Sequence, residues 1–538
     1  MSQSGAPAGT EEPAGTGERA DRRKPAASGT PLYKRLPHGP HQIPRDEVIQ
    51  NQRARIHGAT VEAVAQCGYR KTSVKMIVSL AGVSRRSFYE QYANREECFL
   101  TSVDLIAARI AKLTNEAYRG VDGALEDRLR AGIEQFTEEA GGSSNSASLV
   151  IIEAPTVGAA GMLHLCRATG AFEQMLLSSF AHAPEVGDLP LPIIRGIIGG
   201  LHEVISVRLR TGRAKEIPAL TEELLQWTLL FATAPEDPMA ACLADRALAS
   251  LRSTIGHSTN GHATNGHTTN GHSTNGHSSN GHATNGNSPN GHSANGHSTN
   301  GNSPNGRSSN GHASNGHSTN GNSANGHAGA SASQIDTRGR LLECALSLAV
   351  LEDHKDLSPL QIADEAGVSM DSFFELFDHL QECLTAAFEA MSDKLLQITA
   401  GPDLVGQDWP RAVRKAIGTL MHHLATHPLH AQMIATGAYT GGPEMIERNY
   451  ELAHDIAMLL TEGAPEVVND KFAVDAVAGA IWHTVRCQVA GEHVQRLPAL
   501  SDYLTYVVLA PFIGTERAAA IVTEEQPELE PALGSGIG

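Results

Sequence analysis

Between Gly68 and Arg95 the chain carries six cations (Arg70, Lys71, Lys75, Arg85, Arg86 and Arg95) against one acid, Glu90. Cations at that density, interleaved with serine and tyrosine hydroxyls, suit a polyanion rather than a small substrate. The stretch from Thr72 to Leu100 reads TSVKMIVSLAGVSRRSFYEQYANREECFL. Thr72 or Ser73 can cap a short helix running to Leu80, Gly82 supplies the positive φ of a tight turn, and Ser84 can cap the next helix. Val74, Ile77, Val78, Ala81, Val83, Phe88 and Tyr92 have the spacing to close a small core between these helices and the one before them. That leaves Arg85, Arg86, Ser87 and Tyr89 near the start of an exposed second helix. In a helix-turn-helix, those positions face base edges and flanking phosphates in the major groove.

The elements that position this segment belong to a chain of 538 residues with a net charge of −18 and only 4% aromatic residues. The acidity is one-sided. Residues 1–255 hold 28 Lys/Arg against 29 Asp/Glu, whereas residues 256–538 hold 13 against 30. Such asymmetry predicts that only one half meets a polyanion. Apolar residues at three- and four-residue steps over 46–66, 94–117, 192–211, 219–233, 338–351, 379–399, 411–426, 444–461 and 471–490 predict helices on both sides of a central tract. From Gly256 to Gly326 that tract repeats every five residues as GHSTN and its variants, with nothing apolar larger than Ala or Pro. Such a sequence cannot offset its ordering entropy by burial and is expected to be a flexible linker, about 75 residues spanning roughly 45–50 Å. Eleven of the 26 histidines lie between Gly256 and His327, and a passive linker is the expectation over a metal buffer.

The two halves resemble each other. AGVSRRSFYEQYANREEC, Ala81 to Cys98, aligns with AGVSMDSFFELFDHLQEC, Ala366 to Cys383, and GGLHEV from Gly199 aligns with GAIWHT from Gly479. A tandem duplication is the expectation. In the second copy the packing residues persist as Ile362, Ala363, Ala366, Val368, Phe373 and Phe377, but the charges do not. Lys75, Arg85, Arg86, Tyr89 and Arg95 are replaced by Leu360, Met370, Asp371, Phe374 and Leu380, and Asp353 to Leu380 holds seven acids and one cation, Lys355.

The AGVSRRSFYEQYANREE stretch resembles the signature of the TetR family of bacterial transcriptional regulators, AGVS-x-x-x-(L/F)-Y-x-x-F-x-(N/S)-K-E-E. Tyr92 stands where that family more often has Phe, and Arg95 where it has Lys. The resemblance implies an all-α fold: two tandem TetR-like domains, each an N-terminal helix-turn-helix head followed by a helical ligand and dimerisation region. Expected boundaries are a disordered arm over 1–45, a DNA-binding domain over 46–117, a helical region over 118–250 and a disordered linker over 251–334. A degenerate helix-turn-helix over 335–400, a helical region over 401–515 and a disordered acidic tail over 516–538 follow. The resemblance implies a DNA-binding set of Thr72, Ser73, Lys75, Ser84, Arg85, Arg86, Ser87, Tyr89, Tyr92 and Arg95. Thr72, Ser73 and Lys75 would approach phosphates, Arg85, Arg86, Ser87 and Tyr89 would lie in the recognition helix, and Arg95 would contact the backbone. Implied partners are a double-stranded DNA operator, an unidentified small-molecule effector bound between helices of the region after the head, and either an intramolecular pseudo-dimer or a homodimer. The function implied is a sequence-specific transcriptional regulator, with a ligand-responsive repressor as the expectation. A nucleoid or scaffolding protein with one DNA head and an acidic protein-binding half is the alternative.

Other chemistries find little support. Seven cysteines lie far apart with no C-x-x-C pair, which suits reduced thiols better than disulfides or a zinc knuckle. No basic stretch leading into an apolar core opens the chain and no run of 18 apolar residues occurs, so neither a secretory leader nor a membrane span is expected, and a cytoplasmic location is. No phosphate loop, dinucleotide turn or nucleophile elbow falls in a folded region, so neither an enzyme nor a cofactor site is expected. His423 and His427 can share a helix face, but Pro428 breaks that helix and no third ligand aligns, so no metal site is expected.

Overall fold

The computed structural model describes residues 44–183, 189–232, 332–351, 357–401, 408–465 and 470–524, and every regular element among them is helical. The repeat tract from Gly256 to His327, nearly all of the expected arm, and residues 525–538 of the expected tail lie outside the described residues. The first half runs through α1 (Arg45–Lys71), α2 (Val74–Ala81), α3 (Arg85–Tyr89), α4 (Arg95–Arg119), α5 (Leu125–Gly142), α6 (Ser144–Ser148), α7 (Ala159–Ala181), α8 (Leu191–Arg210) and α9 (Thr221–Leu230). A π-helical turn, Leu149–Glu153, follows α6, and a 3-10 turn, Ala214–Leu220, precedes α9.

The second half comprises α10 (Ala332–Leu351), α11 (Pro359–Ala366), α12 (Met370–Leu376), α13 (Leu380–Ala400), α14 (Trp409–Thr426), α15 (Pro428–Gln432), α16 (Ala438–Thr440), α17 (Pro443–Thr461), α18 (Asp470–Ala490), α19 (Ser501–Ile513) and α20 (Thr515–Thr523). A π-helical turn, Met433–Gly437, again follows the short helix, and a 3-10 turn, Val494–Leu500, precedes α19 as Ala214–Leu220 precedes α9. Three differences from the sequence expectation have packing causes. The α5 and α7 helices fall outside the nine helical spans read from the sequence, and α7 is apolar on more than one face because a cavity and another helix flank it. The α19 helix is buried over Tyr503 to Ala510 without interruption, so its sequence has no amphipathic stripe. The expected tail begins too early: α20 continues to Thr523, with Ala518, Ala519, Ile521 and Val522 buried and Arg414 donating to the carbonyls of Ile521 and Val522, both at 2.7 Å.

The halves pack together through α8 and α18. Their backbones meet at Gly199 and Gly479. A Cβ on Gly199 would lie 2.6 Å from the Gly479 carbonyl oxygen, and one on Gly479 only 2.2 Å from that of Gly199. Glycine at both positions is what permits the approach. Arg208 on α8 donates to Asp475 on α18 at 2.9 Å, and Val507 of α19 sits against Gly196. No helix among the described residues is long and apolar enough to cross a membrane.

Candidate nucleic-acid interface and ligand cavity

Local capping explains the geometry of the head. The Ser73 hydroxyl, not Thr72, caps α2, accepting from the Met76 N–H at 3.3 Å. Gly82 ends α2 at φ 60°, a left-handed conformation that a Cβ disfavours. Ser84 caps α3 by accepting from the Ser87 N–H at 3.0 Å, and Asn94 caps α4 by accepting from Glu97 N–H at 2.8 Å. Beneath the turn, Ile56, Ala63, Ile77 and Phe88 are wholly buried with Val78, Ala81, Tyr92 and Cys98 around them. With Phe88 pinned in this core, the opposite face of α3 must point outward.

That face carries Arg85, Arg86 and Tyr89, all exposed, with Ser84 exposed at its start and Ser87 half-buried. Ser73 and Lys75 are exposed on α2 beside it. The Arg86 side chain is 89% exposed and meets only Glu90, one turn on, at 2.9 Å. Such a surface pair is worth little and yields readily to a stronger anion. Tyr89 is 56% exposed, its ring edge-on to Phe88.

Three residues expected at the interface are placed otherwise. Thr72 is 2% exposed and gives the Gly68 carbonyl both its hydroxyl, at 2.8 Å, and its N–H, at 3.2 Å, where Gly68 breaks α1 at φ 76°. Tyr92 is 5% exposed, its hydroxyl 2.8 Å from His57 Nε2. Arg95 is half-buried: it stacks 4.3 Å over the Tyr69 ring and donates to the Thr72 carbonyl at 2.6 Å, bracing the end of α1 against α4. Sequence reading also missed Arg55, which donates to the carbonyls of Ala81 and Gly82 (2.7 Å to the latter) and fixes the turn from behind. In the second head Arg340 does the same to Ala366 at 3.1 Å, so an arginine at the matching position of both heads was the available signal.

His57 bridges Ser102, at 2.7 Å from Nδ1, and Tyr92. Burial, with the nearby Arg53 charge, lowers its pKa from 6.5 to about 4. Unfolding therefore takes up a proton between these values. The stability His57 contributes is complete above pH 6.5 and falls as the pH drops towards 4. We expect wild type to lose on the order of 1–2 kcal/mol more than His57→Gln over that range, read as the difference in melting temperature against pH.

The second head keeps the scaffold and presents different chemistry. Ser358 and Ser369 cap α11 and α12, Gly367 has φ 64°, and Phe373 and Phe377 fill the core. Its outer face shows Leu360, Asp371 and Phe374 exposed, with Met370 half-buried. The acids and Lys355 between Asp353 and Asp356 lie outside the described residues. His423 Nε2 lies 3.0 Å from His430 Nδ1, with the His427 ring stacked on His423, so these histidines partner one another.

Behind the first head, α4, α5, the π-helical turn, α7, α8 and α9 enclose a cavity of about 120 Å³. Ile110, Phe136, Ile151, Leu165, Phe172 and Leu201 are typical of its wall. His202 is the outlier. Both of its ring nitrogens lack a hydrogen-bond partner, and burial, with the Arg486 charge, holds it well below the usual pKa and hence neutral. The same wall is tied to the head. Val150 and Ile151 line the cavity, and Glu153, at the end of that π-helical turn, accepts from the Tyr69 N–H at 2.9 Å where α1 breaks.

Residues 56–102 match the family model described as "Bacterial regulatory proteins, tetR family". Among solved structures, the chain is similar to the fatty acid degradation regulator FadR from Bacillus halodurans, at 17% identity over 33% of this chain and 94% of that one, TM-score 0.31. It is also similar to the transcriptional regulator FadR from Bacillus subtilis in complex with stearoyl-CoA, at 17% identity over 32% and 96%, TM-score 0.30. No curated protein matches the chain.

Proposed function

We propose, from the match of residues 56–102 to the model of the tetR family of bacterial regulatory proteins, that the chain is a DNA-binding transcriptional regulator, a ligand-responsive repressor that reads its operator through the first head alone. The observation that carries the reading is the α3 face: Arg85, Arg86 and Tyr89 stand exposed together while Phe88 anchors the helix. Guanidinium groups there suit the O6 and N7 acceptors of guanine, and Ser73 and Lys75 suit the flanking phosphates. Thr72, Tyr92 and Arg95 serve by holding α2 and α3 in place. The second head, with Met370 and Asp371 at the positions of Arg85 and Arg86, offers nothing to a phosphate backbone. Duplication of one ancestral unit accounts for this pair, and packing of α8 on α18 makes the chain its own pseudo-dimer.

The cavity suits a small apolar effector with one polar group to meet His202; its volume is near that of an engineered cavity of about 150 Å³ that binds benzene. Because Glu153 connects the cavity wall to the break in α1, filling the cavity would shift the population of head orientations.

Binding should be strongly salt-dependent, since each neutralised phosphate releases counterions. Lys75→Ala should weaken all DNA sequences alike and flatten the slope of log K against log salt by about one unit. Fluorescence anisotropy over a salt series measures this; an unchanged slope removes Lys75 from the interface.

A further inference from the structure

Four side chains that could ligate a metal converge where the halves meet. Cys166 and Glu173 stand seven residues apart on α7, which puts them on one face two turns apart. His483 and Cys487 stand four apart on α18, one turn apart on the face turned towards α7. His483 Nε2 lies 3.0 Å from Glu173 Oε1 and 3.5 Å from Cys487 Sγ, and the three ligand atoms all fall within 4.8 Å of one another. The Cys166 thiol, on the opposite half, interacts with that of Cys487 from outside this three-residue cluster and offers a fourth donor. All four are buried or half-buried, and both cysteines are free.

We propose that Cys166, Glu173, His483 and Cys487 form a tetrahedral site for a thiophilic divalent cation, Zn²⁺ above all, that clips the first half to the second.

Bonds of about 2.0–2.3 Å from a tetrahedral zinc place neighbouring donor atoms about 3.3–3.8 Å apart, so Glu173, His483 and Cys487 need only small movements to admit the ion, and Cys166 must swing in to complete the shell. Two thiolates, an imidazole and a carboxylate are a ligand mix this cation takes. Arg195 holds the second carboxylate oxygen of Glu173 at 3.3 Å, so that Oε1 can exchange its contact with His483 for the ion and bind as a single donor. Two thiolates and a carboxylate exceed the ion's charge by one, and the Arg195 and buried Arg486 guanidinium groups nearby offset it. The location gives the clip a consequence. Leu165, Thr169 and Phe172 on α7 line the cavity, and the His483 ring lies beside His202, with 6.5 Å between centroids. An ion here fixes the helix that forms one cavity wall.

The test uses the full-length chain, reduced and freed of metal, titrated with Co²⁺ as the probe. Thiolate ligands give a near-ultraviolet sulfur-to-cobalt charge-transfer band that imidazoles and carboxylates do not, so the histidines of the repeat tract are silent. The expected result is a thiolate band that saturates at one Co²⁺ per chain, is displaced by Zn²⁺, and is lost in Cys166→Ser/Cys487→Ser. Zn²⁺ should also raise the melting temperature of the wild type and not of that variant. Absence of the band in the wild type, or its persistence in the double variant, overturns the proposal. The readout is independent of DNA binding.

Discussion

Replacing Arg85 and Arg86 together by alanine is expected to lower affinity for the operator by about 30-fold to 10⁴-fold. The range follows from two guanidinium–base contacts at about 1–3 kcal/mol each. The fold should not respond. Both side chains are exposed in the first turn of α3, alanine favours helix, and Phe88, Ser84 and Arg55 hold the element without them. An unchanged melting temperature with lost binding separates recognition from folding. Equal affinity of variant and wild type for the operator would remove α3 from the interface.

The second large effect is expected at the contact between halves. Gly479→Leu puts a branched side chain where even a Cβ would stand 2.2 Å from the Gly199 carbonyl oxygen and 2.6 Å from Glu203 Cβ. Rotamer changes cannot relieve a clash that begins at Cβ with main chain, so α8 and α18 must separate, at about 3 kcal/mol or more. For a structure of this size the melting temperature should fall by about 4 °C or more. Gly170→Ala is the control: nothing lies within 4 Å of a Cβ there, and a mid-helix alanine should stabilise slightly. Equal melting temperatures for Gly479→Leu and Gly170→Ala would mean that the halves do not rely on this crossing.

Much of this was legible in the sequence, and the exceptions follow a physical pattern. The head could be read because its signals are local: Ser84 three residues before Ser87, Gly82 at a turn, Phe88 and Tyr92 one turn apart. The exposed placement of Arg85, Arg86 and Tyr89 follows from the same spacing. Thr72 and Arg95 escaped because their environments depend on the break at Gly68, and a glycine inside an amphipathic stretch does not announce that the chain turns there. The α19 helix escaped because burial all round erases periodicity. Nothing in one dimension pairs Glu173 with His483, 310 residues away, or sets His202 in the wall of an apolar cavity. Those juxtapositions belong to the packing of α7 and α8 against α18.

The most direct test of the central claim is selection of bound duplexes from a random DNA pool by the intact chain, with Arg85→Ala/Arg86→Ala run in parallel. A reading head formed by α3 predicts that the wild type enriches a defined sequence element and that the variant enriches none. No enriched element with the wild type, or the same element with both proteins, would contradict it.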